Sequence, residues 1–174
     1  KAKADSEWVS LSRLGDVTIA NPEKYTDIAF YKAEPLGESF RYLPGAKFSL
    51  VGTSAEGTEY DLEEESDETG TVRFTGIEEG VYELKETEAP KNIQITETGE
   101  AAEGGEINYR GDPNTYLVTV KADGTYTIRQ KTASADGSSA EGPELGRDLL
   151  EHYVFLNTPI PEGEILITKK WIDG

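Results

Sequence analysis

Short runs in which apolar and polar residues alternate constrain the fold of this 174-residue chain most strongly. Side chains along a strand point alternately to its two faces, so a period of two predicts strands that are buried on one side. Residues 115–120 and 125–128 have β-rich sequences and flank Asp123-Gly124, which is a strong hairpin signal. Because the sequence has several short strand patterns and no long amphipathic helix pattern, it predicts an all-β sandwich.

The run from Val81 to Pro90 is predicted to be a strand that ends in a proline-containing turn. Tyr82, Leu84 and Glu86 fall on one face of this strand, so that a carboxylate follows two core residues. Burial of an unpaired charge is strongly unfavourable. Glu86 therefore needs a buried partner or a changed protonation state.

Two further runs place two apolar residues and then one functional group on a single strand face. Their alternating residues are Ile28, Phe30 and Lys32 in one run, and Tyr153, Phe155 and Asn157 in the other. If the three faces pack together, an amine, a carboxyl and a carboxamide meet in an apolar core. Burial lowers the pKa of a lysine and raises that of a glutamic acid, so the pair can exist as a neutral amine and a neutral acid. A neutral amine held against a carboxamide carbon is an effective nucleophile, and the carboxyl can polarise the carboxamide oxygen and move protons.

Three motifs resemble those of CnaB-type (collagen-adhesin B-repeat) domains of Gram-positive surface proteins and pilins. Residues 82–90, with the pattern Tyr-x-Leu-x-Glu-Thr-x-Ala-Pro, resemble the E-box of that family. Residues 43–50 (LPGAKFSL) resemble one of its strands, with Lys32 upstream. Residues 154–159 (VFLNTP) resemble its last strand, which ends in Asn before Pro. The three motifs occur in the family's order.

The resemblance implies a transthyretin-like Greek-key sandwich of two sheets. It also implies a spontaneous intramolecular isopeptide bond, with Lys32 as nucleophile, Asn157 as electrophile and Glu86 as general acid/base. The expected function is that of a structural stalk module in an extracellular, cell-wall-attached adhesin or pilin of a Gram-positive bacterium. Such a module is not an enzyme, beyond one autocatalytic turnover on itself.

Two other carboxylates on the same predicted strand compete with Glu86. Glu83 has the wrong parity, because it faces away from Tyr82 and Leu84. Glu88 has the right parity but lies next to Ala89-Pro90, where the strand is expected to have ended. Glu86 is therefore the preferred candidate.

The two ends of the chain share a pattern of apolar strand, Asn, Pro-containing linker, apolar strand and Lys. It runs from Val17 through Asn21 to Lys32, and again from Val154 through Asn157 to Lys169. Such self-similarity is typical of tandem domains. We therefore expect residues 1–23 to close a preceding repeat domain, residues 24–162 to form one CnaB-like domain, and residues 163–174 to begin a following domain. The alternative is a single domain with ordinary flanking strands at both ends.

Composition disfavours several other functions. The formal net charge of −17 disfavours nucleic acid and anionic membrane surfaces as partners, and no apolar run has membrane-spanning length. The chain has no cysteine, which removes disulfides and thiolate chemistry. We expect no cofactor and no metal, because His152 is the only histidine and the acidic run at 63–68 lacks the spacing of a calcium loop. That run is expected to be a solvated loop.

The expected partners are neighbouring tandem domains of the same chain. Residues 97–112 and 132–147 are rich in small and polar residues and are predicted to be long loops. One alternative function is therefore an adhesin domain that binds a host matrix protein or glycan through these loops. Another is an accessory β-sandwich of a secreted enzyme, whose catalytic domain would lie outside this sequence.

Overall fold

The computed structural model describes residues 2–4, 7–9, 25–91, 93–94, 106–133 and 139–160. All regular structure in these ranges is β-strand. None of the described residues forms a helix long and apolar enough to cross a membrane. The strands are β1 (Ala2–Ala4), β2 (Glu7–Val9), β3 (Thr26–Leu36), β4 (Ser39–Tyr42), β5 (Lys47–Ser54), β6 (Glu59–Glu65), β7 (Thr71–Ile77), β8 (Gly80–Glu88), β9 (Ile93–Gln94), β10 (Glu106–Ile107), β11 (Tyr109–Arg110), β12 (Thr115–Val120), β13 (Tyr126–Ala133), β14 (Ser139–Glu144), β15 (Val154–Leu156) and β16 (Thr158–Pro159).

The larger sheet has six strands in the order β14-β13-β12-β8-β5-β6. Its pairs are antiparallel, with Tyr116 of β12 opposite Leu84 of β8, and Leu84 opposite Leu50 of β5. The predicted hairpin between β12 and β13 is confirmed: the Lys121 amide donates to the Thr125 carbonyl at 2.9 Å, and Gly124 has a φ of 80°. Glycine adopts this left-handed conformation without the strain that other residues incur.

The smaller sheet is built around β3. β4 and β7 pair antiparallel with successive parts of β3, whereas β15 pairs with it in parallel. The register places Phe155 of β15 opposite Lys32 of β3. β3 and β15, which come first and last in the chain order of the two large sheets, are therefore direct neighbours.

The two sheets pack face to face over an apolar core. Phe30 of the smaller sheet contacts Phe48 of the larger one, with ring centroids 4.9 Å apart, and Phe155 lies between Phe48 and Tyr116 at 5.1 and 4.8 Å. β12 buries every second residue, as the period of two predicted. The all-β, two-sheet sandwich expected from the sequence is confirmed.

The predicted loop over residues 132–147 is wrong in part, because β13 continues to Ala133 and β14 spans Ser139–Glu144. Gly142 and Pro143 make β14 unrecognisable in the sequence. Both lie where the β13–β14 register shifts, and β14 is an edge strand. Proline and glycine are tolerated at such bulges and edges because no ladder hydrogen bond is required of them.

The other predicted loops also differ from the structure. Within 97–112, residues 106–107 pair with β9 and residues 109–110 pair with β16, while residues 97–105 lie outside the described residues. The first part of the acidic run, Glu63–Glu65, belongs to edge strand β6 rather than to a loop. Charged side chains on an edge strand discourage pairing with other chains. The expected strands of neighbouring domains, which contain Asn21 and Lys169, also lie outside the described residues.

Candidate functional site

The two central β-strands of the site and the segment after β15 bring one functional side chain each to the same end of the core. Lys32 lies on β3, Glu86 on β8, and Asn157 directly follows β15. The Asn157 amide donates to the Ala33 carbonyl at 2.9 Å, so the parallel pairing of β15 with β3 continues to this residue. The segment is thereby held where the Asn157 side chain can reach Lys32.

The three side chains are within hydrogen-bond distance of one another. Lys32 Nζ donates to Asn157 Oδ1 at 2.6 Å and lies 3.0 Å from Glu86 Oε1. Asn157 Nδ2 donates to the same Glu86 oxygen at 3.0 Å. A single carboxylate oxygen therefore contacts both the amine and the carboxamide nitrogen.

The site is closed to solvent and lined by aromatic rings. The side chains of Lys32 and Glu86 are 0% and 1% exposed, and Asn157 is 3% exposed. Lys32 Nζ lies 5.5 Å from the ring centroid of Phe48 and 6.0 Å from that of Phe155. Polar groups in such a place have little water to interact with, so their contacts with one another decide their chemistry.

Burial lowers the pKa of Lys32, because an ammonium loses its hydration in the core. The charges of Glu86 and Asp112 act in the opposite direction but do not overcome this effect. The amine is consequently easier to deprotonate than an ordinary lysine. A deprotonated amine has the lone pair that a nucleophile requires.

The second oxygen of Glu86 is held by a segment that sequence reasoning did not single out. The Asp112 amide donates to Glu86 Oε2 at 2.5 Å. The Asp112 carboxylate in turn accepts hydrogen bonds from the Asn114 amide at 2.9 Å and the Tyr116 hydroxyl at 2.6 Å. The Asp-Pro-Asn sequence before β12 is a turn signal, but nothing local indicates that the turn reaches Glu86.

The competing carboxylates lie elsewhere. Glu83 is on the outer face of the sheet, where it accepts from Lys131 Nζ at 2.5 Å. Glu88 lies 3.3 Å from Lys47 Nζ and 2.6 Å from Lys91 Nζ, and its side chain is 38% exposed. Neither is part of the buried cluster that contains Lys32.

Glu86 contacts the nitrogen atoms of its two partners and not the carbonyl oxygen of Asn157. Its carboxyl contacts the amide nitrogen of Asn157, whereas the carbonyl oxygen accepts from Lys32. The expected polarisation of that oxygen by Glu86 has no counterpart among these contacts. In the described part of the chain, no group of three or more His, Cys, Asp or Glu side chains is placed to hold a metal ion.

The fold and the site together define a β-sandwich module with a buried Lys–Glu–Asn cluster between its terminal strands. A family model described as "SpaA: Prealbumin-like fold domain" matches residues 32–103. The match begins at Lys32 and contains the Glu86 strand. It confirms that this part of the chain is similar to CnaB-type, prealbumin-like domains, as the motifs indicated.

Several solved structures of pilus proteins are similar to this chain. The major pilin subunit BcpA of Bacillus cereus is 21% identical, with a TM-score of 0.41, over 56% of this chain and 26% of its own. The pilus adhesin RrgA of Streptococcus pneumoniae is 19% identical, with a TM-score of 0.42, over 77% and 14%. The group B streptococcus pilus 2b backbone protein is 18% identical, with a TM-score of 0.40, over 76% and 40%. The chain thus spans less than half of each. No curated protein matches it in sequence.

Proposed function

We propose that this sandwich is a structural module of a pilin-type surface protein, and that an amide bond between Lys32 and Asn157 joins its first and last strands. The single observation that carries the proposal is the buried cluster in which Lys32 Nζ lies 2.6 Å from Asn157 Oδ1 and 3.0 Å from Glu86 Oε1. Lysine and glutamate are almost never fully buried unless they are paired, and polar groups of this kind do not contribute to an apolar core. The motif resemblance and the prealbumin-like family match support the same function.

The reaction proposed for this site balances without any cofactor. Glu86 Oε1 accepts a proton from the Lys32 amine, and the Nζ lone pair attacks Cγ of Asn157. The Cγ–Nδ2 bond then breaks as Glu86 delivers the proton to Nδ2, and ammonia leaves. One C–N bond forms and one breaks, and the proton that Glu86 takes from the neutral Lys32 amine is the proton it delivers to Nδ2, so Glu86 ends in its starting state. General acid–base catalysis of this kind contributes about 10²–10⁴-fold.

The position of the bond suits a load-bearing role. Lys32 and Asn157 are 125 residues apart in sequence, but Lys32 lies on β3 and Asn157 directly follows the neighbouring strand β15. Force applied to the two ends would pass through a covalent bond between these residues instead of through the hydrogen bonds of the sheets. By analogy with a disulfide, a closed loop of this length also constrains the unfolded chain, which stabilises the fold by about 4–5 kcal/mol.

The rest of the functional hypothesis rests on the motif resemblance and on the pattern shared by the two ends of the chain. The module would be exported, attached to the cell wall of a Gram-positive bacterium, and flanked by further domains, with residues 24–162 as one repeat. It would act on no external substrate, because its only reaction consumes its own Lys32 and Asn157.

Intact-mass measurement of the purified protein tests the proposal. The wild-type chain should be lighter than its sequence mass by one ammonia molecule, and Lys32→Ala, Glu86→Ala and Asn157→Ala should each match their full sequence mass. Because they lack the bond, these variants should also melt at lower temperature.

Two matched controls use the competing carboxylates. Glu83→Ala and Glu88→Ala each remove a glutamate from β8 but leave the buried cluster intact, so both should keep the deficit. A wild-type chain of full sequence mass would contradict the formation of the amide bond, and only the β-sandwich fold would remain of the proposal. A deficit that survives in Glu86→Ala would show that another group transfers the proton.

A further inference from the structure

The geometry points to Asp112 and Tyr116 as positioning residues that hold the Glu86 carboxyl in the orientation needed for bond formation. This inference rests on the proposed function, because it concerns the same reaction. It adds the turn between β11 and β12 to a site that the sequence motifs place on three strands only. Neither residue touches the reacting nitrogen or carbon atoms, so each would act through Glu86.

The two oxygens of Glu86 have different partners. Oε1 lies 3.0 Å from both Lys32 Nζ and Asn157 Nδ2, the two nitrogens between which a proton must move. Oε2 instead accepts from the Asp112 amide at 2.5 Å. The Asp112 contact occupies one oxygen and thereby leaves the other facing the amine and the amide. Rotation of the carboxyl would break all three contacts together.

The side chain of Asp112 fixes the turn that supplies this amide. Its Oδ1 accepts from the backbone amide and the side-chain amide of Asn114 at 2.9 and 2.7 Å. Its Oδ2 accepts from the Tyr116 hydroxyl at 2.6 Å. Asn114 is held in turn by Gln130 Nε2, which donates to its Oδ1 at 2.8 Å. Asp112 therefore joins the turn to two strands of the larger sheet.

Tyr116 links this turn to the core. Its ring packs against Phe155 with centroids 4.8 Å apart, and its strand pairs with β8 next to Glu86, with Tyr116 opposite Leu84. Burial and the hydrogen bond to Asp112 raise the pKa of the Tyr116 hydroxyl, so the hydroxyl stays protonated and remains a donor. The Asp112 carboxylate is thus tied to a side chain that the core itself immobilises.

Orientation matters here because one oxygen must reach two nitrogens. Displacement of a reacting group by about 1 Å can slow a reaction about 100-fold. Without its anchors, the turn could move and release Oε2, and the carboxyl would then sample orientations in which Oε1 faces only one nitrogen. We expect Tyr116→Phe and Asp112→Ala to slow bond formation about tenfold or more.

A conservative variant separates position from charge. Asp112→Asn keeps the shape of the side chain and one oxygen acceptor but removes the charge. The charges that act on the Lys32 amine are Glu86 on β8 and Asp112 in the β11–β12 turn, and both favour its protonated form. Loss of the Asp112 charge should therefore extend the reactive, neutral amine to lower pH. At high pH the rate of Asp112→Asn should stay within a few-fold of wild type.

The experiment follows bond formation in the full chain during refolding. Protein dissolved from inclusion bodies in urea is unfolded, so its strands cannot align and it should not have reacted. Dilution starts folding, which circular dichroism follows, and samples quenched in acid give the fraction that has lost ammonia by mass spectrometry. Wild type, Asp112→Ala, Asp112→Asn and Tyr116→Phe are compared over a series of pH values. The matched control is Tyr126→Phe, because the Tyr126 hydroxyl donates to the Ala29 carbonyl at 2.8 Å on another part of the sandwich.

The outcomes separate this inference from the proposed function. Support requires slow ammonia loss after normal folding in Tyr116→Phe and Asp112→Ala, a wild-type rate in Tyr126→Phe, and a shift of the rate profile of Asp112→Asn to lower pH. Wild-type rates in Tyr116→Phe and Asp112→Ala would overturn the positioning role and leave the bond standing. Equal slowing of Asp112→Asn and Asp112→Ala at every pH would also overturn it, since a side chain that keeps the shape and one oxygen acceptor would then not preserve the rate. If wild type loses no ammonia, the proposed function itself fails.

Discussion

At the scale of single residues, Lys32 has an unusual environment for a lysine. Lysine is rarely buried fully, and only with a partner. The Lys32 side chain is fully buried, and its amine contacts the polar groups of the candidate site and lies near aromatic rings. Burial lowers its pKa against the opposing charge of Glu86. The free amine would thus be a destabilising feature of the fold, and its conversion into an amide would remove the charge altogether.

The lowered pKa of Lys32 predicts how the stability of an unreacted variant depends on pH. Asn157→Ala cannot form the bond and keeps the Lys32 amine. Between the lowered pKa of the folded state and the ordinary value of 10.5, the unfolded chain binds more protons at Lys32 than the folded chain does. The free energy of unfolding of Asn157→Ala should therefore rise with pH through this window, by up to about 1.4 kcal/mol per pH unit.

The double variant Lys32→Met with Asn157→Ala is the matched reference. Urea unfolding of both proteins from neutral pH upward gives the difference that belongs to Lys32 and its pairing with Glu86. A difference that falls with rising pH, or stays constant, would contradict a lowered pKa in the folded state.

At the scale of the elements, β3 is hydrogen-bonded on both sides around Lys32. The backbone of Lys32 lies between its neighbours: its amide donates to the Gly70 carbonyl at 2.8 Å, and its carbonyl accepts from the Leu43 amide at 2.8 Å. Phe155 of β15 pairs with it from the other side. Since the backbone is held on both sides, the direction in which the Lys32 side chain enters the core is set by the sheet and not by the side chain itself.

Gly70 is the residue at which this arrangement can be tested. Its φ is 74°, and a Cβ there would lie 2.7 Å from the Lys32 carbonyl oxygen and 3.0 Å from the Leu43 amide. Gly76 has a nearly equal φ of 72°, but a Cβ there would meet nothing within 4 Å. Alanine at either position should cost about 1–2 kcal/mol for the left-handed backbone. Gly70→Ala should cost about 1–3 kcal/mol more, because backbone must move to accept it.

Urea unfolding in the Asn157→Ala background measures both changes without interference from the bond. Equal destabilisation by Gly70→Ala and Gly76→Ala would mean that β3 yields easily near Lys32. In that case the close approach of Gly70 would not be what positions the amine.

For the whole molecule, the important feature is that residues near both ends of the sandwich meet. β3 and β15 are parallel neighbours, although most of the described chain lies between them. When a chain with this topology is pulled at its ends, the load falls directly on the β3–β15 pairing. An amide bond between Lys32 and Asn157 would carry that load in place of the hydrogen bonds.

Single-molecule pulling on the two chain ends should show this directly. In wild type, the residues between Lys32 and Asn157 are bypassed by the bond and cannot extend. In Asn157→Ala they can, so the unfolded chain should be longer by roughly 400 Å, because the two residues are 125 positions apart and an extended residue spans about 3.4 Å. Equal extension of wild type and Asn157→Ala would contradict a covalent connection. Glu88→Ala serves as the control that should extend like wild type.

The sequence by itself determined the features that depend on neighbouring residues. Strand periodicity placed Glu86 on the face of Leu84, and Asp123-Gly124 specified a hairpin, because side-chain parity and turn conformation are local properties. The tertiary structure decided what depends on distant residues: it brought Lys32, Glu86 and Asn157 within hydrogen-bond distance, while the bond itself stays a prediction. It also brought Asp112 to Glu86 and added β14 to a sheet edge despite its glycine and proline. Such contacts join residues far apart in the chain, so no local pattern specifies them.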